Sequence, residues 1–118
     1  MTGAVESGTA FRSLQIVLIA HSCALLAQSA LAGEFLTGAD NIVKFHEWTA
    51  FAILGLCLIQ TALASRVSLL LLLSSVFVLL LEFMLVATGF VRLVDVHVPL
   101  GVVAIGIVLV QTFWVMRR

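Results

Sequence analysis

Four long apolar runs separated by short polar stretches set the pattern of this chain. Residues 13–33, 48–65, 67–91 and 98–116 are free of Asp, Glu, Lys and Arg, apart from Glu82 in the third run. Each is near the ~20 residues a helix needs to cross a hydrocarbon core of about 30 Å. Lipid offers backbone groups no partners, so runs of this length read as helices; membrane strands would be shorter and would alternate in polarity. The pattern predicts one all-α domain over residues 1–118, an integral-membrane up-down four-helix bundle with spans at about 13–33, 46–65, 67–90 and 98–116. Residues 1–10 read as a frayed tail, 34–41 as the longest loop, and Arg92, Asp95 and the segment around His97 as the last loop. Ala30-Leu31-Ala32 before Gly33 has the form of a signal-peptidase site, but the apolar segment ahead of it is long for a signal-peptide core. A retained first helix is expected.

Helical spacing within the runs places small and polar residues on shared faces. His46, Thr49, Ile53, Cys57, Gln60 and Ala64 fall on one stripe of the second helix, and His97, Gly101, Ala104, Val108 and Gln111 on one stripe of the fourth. The first helix offers Leu14, Val17, His21, Ala24, Gln28 and Ala32, and the third Ser68, Ser75, Glu82 and Gly89 at strict sevens. These are the expected bundle faces, with Leu, Val, Ile and Phe left for lipid. Trp48 and Trp114, near opposite ends of their spans, read as interfacial anchors, and Gln28, Gln60 and Gln111 as interhelical hydrogen-bonding groups.

Composition agrees: 63% of the 118 residues are hydrophobic and only 10% charged, outside the balance of soluble domains. The formal net charge is zero and there is no basic run, which gives nucleic-acid binding no support. Placing the amino terminus inside puts Arg12, Arg66, Arg117 and Arg118 in the cytoplasm and leaves Lys44 and Arg92 outside, so both termini are expected to be cytoplasmic. Cys23 and Cys57 both lie in spans without a CxxC partner and are expected to be buried free thiols acting as small apolar residues.

The candidate chemistry is carried by histidine and one acid. His46 opens the second helix and His97-Val98-Pro99-Leu100-Gly101 opens the fourth, where proline suits a first turn and glycine leaves room beside the imidazole. In an up-down bundle these helices are diagonal and enter from the same face, so the two imidazoles meet at one depth near the outer interface. Two neutral imidazoles on facing helices are the axial set of a b-type haem, with Gly101, Ala50 and Ala104 as the small neighbours and His46 and His97 as the metal ligands. Glu47 and Asp95 stand beside them in sequence. A chlorophyll-type pigment, a bare metal ion, or simple helix capping by the two rings are the other readings of the same pair. His21 and Glu82 lie deep in the diagonal first and third helices, at depths within roughly one turn of each other, which allows a hydrogen bond. Its plain role is a clasp fixing helix register; the sharper ones are a proton relay or a quinol-binding pair.

Ala20-His21, Leu31-Ala32-Gly33, Leu36-Thr37-Gly38, His46-Glu47 and His97-Val98-Pro99-Leu100-Gly101 together resemble a group of small four-span bacterial membrane proteins frequent in actinobacteria. That resemblance implies the four-span fold and brings no activity with it. In architecture alone, histidines at helix ends of a four-helix unit are similar to one half of the haem A synthase family, which implies a b-type haem. Three functions are therefore expected in order. The first is a haem-carrying electron-transfer protein, supplied by a quinol or serving as a subunit of a respiratory-type complex. The second is a cofactor-free accessory subunit of a larger membrane complex. The third is a small homo-oligomeric transporter using Glu82 as a proton site.

Overall fold

The computed structural model describes the backbone of residues 2–39 and 41–118, and the side chains of these except 2–7 and 35. Four helices account for nearly all of it: α1 Thr2–Leu36, α2 Ile42–Ala64, α3 Leu69–Phe90 and α4 Val94–Met116. Each contains a stretch long and apolar enough to cross a membrane, in α1 over Gly8–Glu34. The chain is a multi-pass membrane protein, and the bundle measures 56 × 21 × 20 Å. Helix α1 packs against α2 and α4, and α3 against the same two, whereas α1 and α3, like α2 and α4, are diagonal and share no backbone contact. This is the up-down square expected from the pattern of runs.

Several boundaries differ from those the charges suggest, and the connections explain why. Residues 2–10, expected to fray, continue α1, and α1 runs on to Leu36 before Gly38, at φ 98°, ends it in a left-handed turn with Ala39 N–H on the Glu34 carbonyl. Asp40, assigned to this loop, lies outside the described residues. Helix α2 starts at Ile42, one turn before His46, so Lys44 belongs to the helix rather than to its approach. The α3–α4 connection is only residues 91–93. It is a Schellman turn in which Leu93 N–H reaches the Thr88 carbonyl at 2.9 Å and Arg92 N–H the Gly89 carbonyl at 3.1 Å. Arg92 takes the left-handed position usually held by glycine, at φ 57°. Because the turn is so short, α4 begins at Val94. Asp95 and His97 are helical instead of looped, His97 N–H bonding the Leu93 carbonyl at 2.8 Å, and Pro99 stands inside the helix rather than in its first turn.

The interior is layered. At the end holding the amino terminus, Leu14, Leu18, Ala64, Leu71 and Val115 form one apolar cluster; nearer the middle, Leu25, Ile53, Cys57, Val78 and Val108 form another. His21, Ser22, Gln60, Ser75, Glu82 and Gln111 are the buried polar residues that accompany them. The buried stripes of α2 and α4 follow the sequence spacing, through Ile53, Cys57, Gln60 and Ala64 and through Ala104, Val108, Gln111 and Val115. On α1 the buried line runs instead through Leu14, Leu18, His21 and Leu25, because this helix must fill the notch between α2 and α4, and Val17 and Ala24 are only half-buried. On α3 the strict sevens drift around a straight helix, so Ser75 and Glu82 are buried but Gly89 is exposed. Cys57 is a buried free thiol as expected; Cys23 is not, since α1 turns it outward among Ile16, Ile19 and Leu26 on the apolar exterior.

Candidate functional site

The bundle brings two groups of chemically competent side chains together, one at an end and one in the middle. At the end away from the amino terminus, α2 and α4 deliver His46 and His97 across the diagonal. Their ring centroids are 6.2 Å apart with planes at 60°. His97 Nδ1 lies 2.9 Å from the Leu85 carbonyl and 3.3 Å from Thr88 Oγ1. A carbonyl only accepts, so Nδ1 carries the hydrogen and Nε2 is left with its lone pair, the tautomer that a metal-ligating histidine presents. Nδ1 of His46 is buried with no hydrogen-bond partner. The Gln28 backbone stands beside the His46 ring, and the His46 backbone is held in turn: Gln28 Nε2 donates to its carbonyl at 2.8 Å, and the Thr49 hydroxyl bonds both that carbonyl and Gln28 Oε1.

The small neighbours assigned from sequence are placed unevenly. A side chain on Gly101 would meet only Leu85, at 3.8 Å, in ordinary contact. Ala50 is half-buried, and Ala104 is fully buried, nearly two turns beyond His97 and beside the middle cluster. The residue that clears space for the imidazole is Gly89 of α3, where an added Cβ would stand 3.2 Å from His97 Cε1. Glu47 and Asp95 are exposed, and the Leu85 carbonyl takes the orienting role beside His97. Gly89 was legible as part of the third helix's polar face, but nothing in the sequence tied it to His97.

The second group is a connected polar network that draws on all four helices. His21 Nε2 of α1 lies 2.6 Å from Glu82 Oε1 of α3, across the other diagonal, and His21 Nδ1 lies 2.7 Å from Gln60 Oε1 of α2. Gln60 Nε2 donates to Ser75 Oγ at 3.1 Å and to Gln111 Oε1 of α4 at 3.0 Å, and Gln111 Nε2 donates to Ser74 Oγ at 2.6 Å. With the Gln60 amide so directed, its oxygen faces His21 and Nδ1 is the donor. One proton then serves the contact between Nε2 and Glu82, whichever of the two atoms holds it, and the pair is neutral as a whole. His21 is fully buried and Glu82 is 3% exposed. Glu82 Oε2 is buried with no hydrogen-bond partner, and the ligand atoms of His21, Cys57 and Glu82 lie within 4.8 Å of one another. Sequence spacing put Cys57 and Gln60 on the face that carries His46, but their joining of His21 and Glu82 needs the rotation of α1, which spacing does not give.

No known protein family, no curated protein and no solved structure matches the chain.

Proposed function

We propose that the chain is a small b-type haem protein of a bacterial inner membrane, with His46 and His97 as axial ligands and electron transfer as its work. The observation that carries this reading is the separation of the two imidazoles, 6.2 Å between centroids on diagonal helices. Two metal–nitrogen bonds of about 2 Å, plus the distance from each ring nitrogen to its centroid, sum to roughly 6 Å. The free Nε2 of His97 and the unpartnered Nδ1 of His46 support an iron held between the rings, and Gly89 lets the His97 ring pack close against α3. Haem supplies one-electron chemistry when bound. The protein's part is to present both imidazoles neutral, to fix the His97 ring against the Leu85 carbonyl, and to hold the His46 backbone through Gln28.

With both termini in the cytoplasm, by the excess of arginine at that end, the histidine pair sits toward the outer face. An electron donor of quinol type in the bilayer, or a larger respiratory-type complex or second copy against the apolar exterior, suits that position. Electron paramagnetic resonance of the oxidised, detergent-purified protein tests the ligation. The expected signal is that of low-spin iron with two imidazole ligands, converted to high spin or abolished in His46→Ala and in His97→Ala. A protein that binds haem but keeps the low-spin signal in either variant contradicts the assignment.

A further inference from the structure

We propose that His21 Nε2, Cys57 Sγ and the Glu82 carboxylate form a binding site for a divalent cation of the zinc class in the middle of the bundle. This inference does not depend on the reading of His46 and His97. Three observations carry it. The three donor atoms come from three helices and lie within 4.8 Å of one another, all in buried residues. Glu82 Oε2 is buried and makes no hydrogen bond of ordinary geometry, the Cys57 thiol meeting the carboxylate only weakly, a poorly satisfied condition that coordination by both relieves. Gln60 Oε1 accepts from His21 Nδ1, the arrangement that fixes the ring orientation of a ligating histidine and leaves Nε2 as the ligand atom.

The donor set is one nitrogen, one sulfur and one carboxylate, which suits a borderline metal such as Zn²⁺ or Co²⁺ and not Mg²⁺ or Ca²⁺. Bonds of about 2.0–2.3 Å in tetrahedral geometry put neighbouring ligand atoms about 3.3–3.8 Å apart. The 2.6 Å contact between His21 and Glu82 must therefore open by about 1 Å, while the third corner, at most 4.8 Å away, closes by a similar amount. Side-chain rotations suffice for both, and the two carboxylate oxygens of Glu82 can fill two positions.

Charge balances without help from solvent. Before metal binding the thiol is neutral and one proton is shared between His21 and Glu82, so the cluster carries no net charge. On binding, the S–H proton and the shared proton leave, metal–sulfur, metal–nitrogen and metal–oxygen bonds form, and the charges +2, −1 and −1 cancel. The Nδ1 proton stays on its bond to Gln60. No electron moves. Exchange of one divalent cation for two protons thus avoids placing a net charge in the apolar interior, which would be the main obstacle to a site at this depth.

The test uses the full chain in detergent with Cys23→Ser, a position on the exterior, loaded with one equivalent of Zn²⁺. Zinc-edge X-ray absorption should show a single sulfur neighbour at about 2.3 Å with nitrogen and oxygen at about 2.0 Å. A weakly buffered indicator should report two protons released per ion. Cys57→Ser should remove the sulfur neighbour, Gln60→Leu should weaken binding about 10–100-fold while keeping it, and His46→Ala/His97→Ala should leave it in place. Failure to retain zinc, a nitrogen-and-oxygen shell without sulfur, or sulfur that survives Cys57→Ser each overturns the proposal. The measurement on the Cys23→Ser chain decides the matter even if a further variant fails to fold.

Discussion

His21→Leu and Glu82→Leu, made singly and together, probe the interior network most directly. His21 holds two hydrogen bonds, to Gln60 at 2.7 Å and to Glu82 at 2.6 Å, and is itself fully buried. Its loss leaves both the Gln60 oxygen and the Glu82 carboxyl without partners, and breaking a buried ionisable pair costs about 3–5 kcal/mol. Glu82→Leu leaves only the His21 Nε2 unsatisfied and should cost about 1–3 kcal/mol. The double variant removes both members and orphans the Gln60 oxygen alone, again about 1–3 kcal/mol. Non-additivity is therefore expected. Interhelical hydrogen bonds in membrane proteins couple by about 0.6 kcal/mol on average and about 1.7 at most, because polar groups of the unfolded chain also find partners in the micelle. A desolvated acid–imidazole pair belongs at or above the top of that range, so the coupling should reach about 1.5 kcal/mol or more. The assay is unfolding by SDS in mixed micelles, followed by fluorescence of Trp48 and Trp114, which report from opposite ends of the bundle. Free energies that add to within about 0.5 kcal/mol would refute the claim that the two residues act as one buried unit.

Other perturbations reach separate parts of the structure. Gly89→Val places branched carbon where even a Cβ would stand 3.2 Å from His97 Cε1, so it should displace the ring and abolish or broaden the haem signal; an unchanged spectrum would separate Gly89 from the site. Arg92 pays a left-handed backbone cost at φ 57°; Arg92→Gly should raise stability by up to about 1 kcal/mol and Arg92→Val lower it by about 1–2 kcal/mol, in the same SDS titration. Alkaline phosphatase fused after Arg118 should be inactive in bacterial cells and a fluorescent protein fused there should be bright, the opposite pattern placing the carboxy terminus outside.

The bundle, its order and both diagonal pairings follow from where charges interrupt the apolar runs, because in lipid the length of a run dictates a helix and the shortness of the connections dictates neighbours. Helix ends were less legible. His97 sits inside α4 because Arg92 accepts a left-handed conformation and lets α4 start at Val94, a turn that no glycine announces. Glu82 and His21 could be matched by depth alone, since both are ionisable residues deep in diagonal helices. Cys57 could not, because a single thiol in an apolar stripe carries no sign of what it faces until the rotation of α1 and α3 is known. Cys23 shows the converse: the same residue type at a similar depth points outward.

Haem binding by the two histidines is read most directly from the visible spectrum of the purified chain from haem-replete cells, oxidised and then reduced with dithionite, beside His46→Ala and His97→Ala. Haem held by these two histidines gives a Soret band with sharp α and β bands on reduction, lost in both variants. A folded, colourless wild-type protein would contradict it.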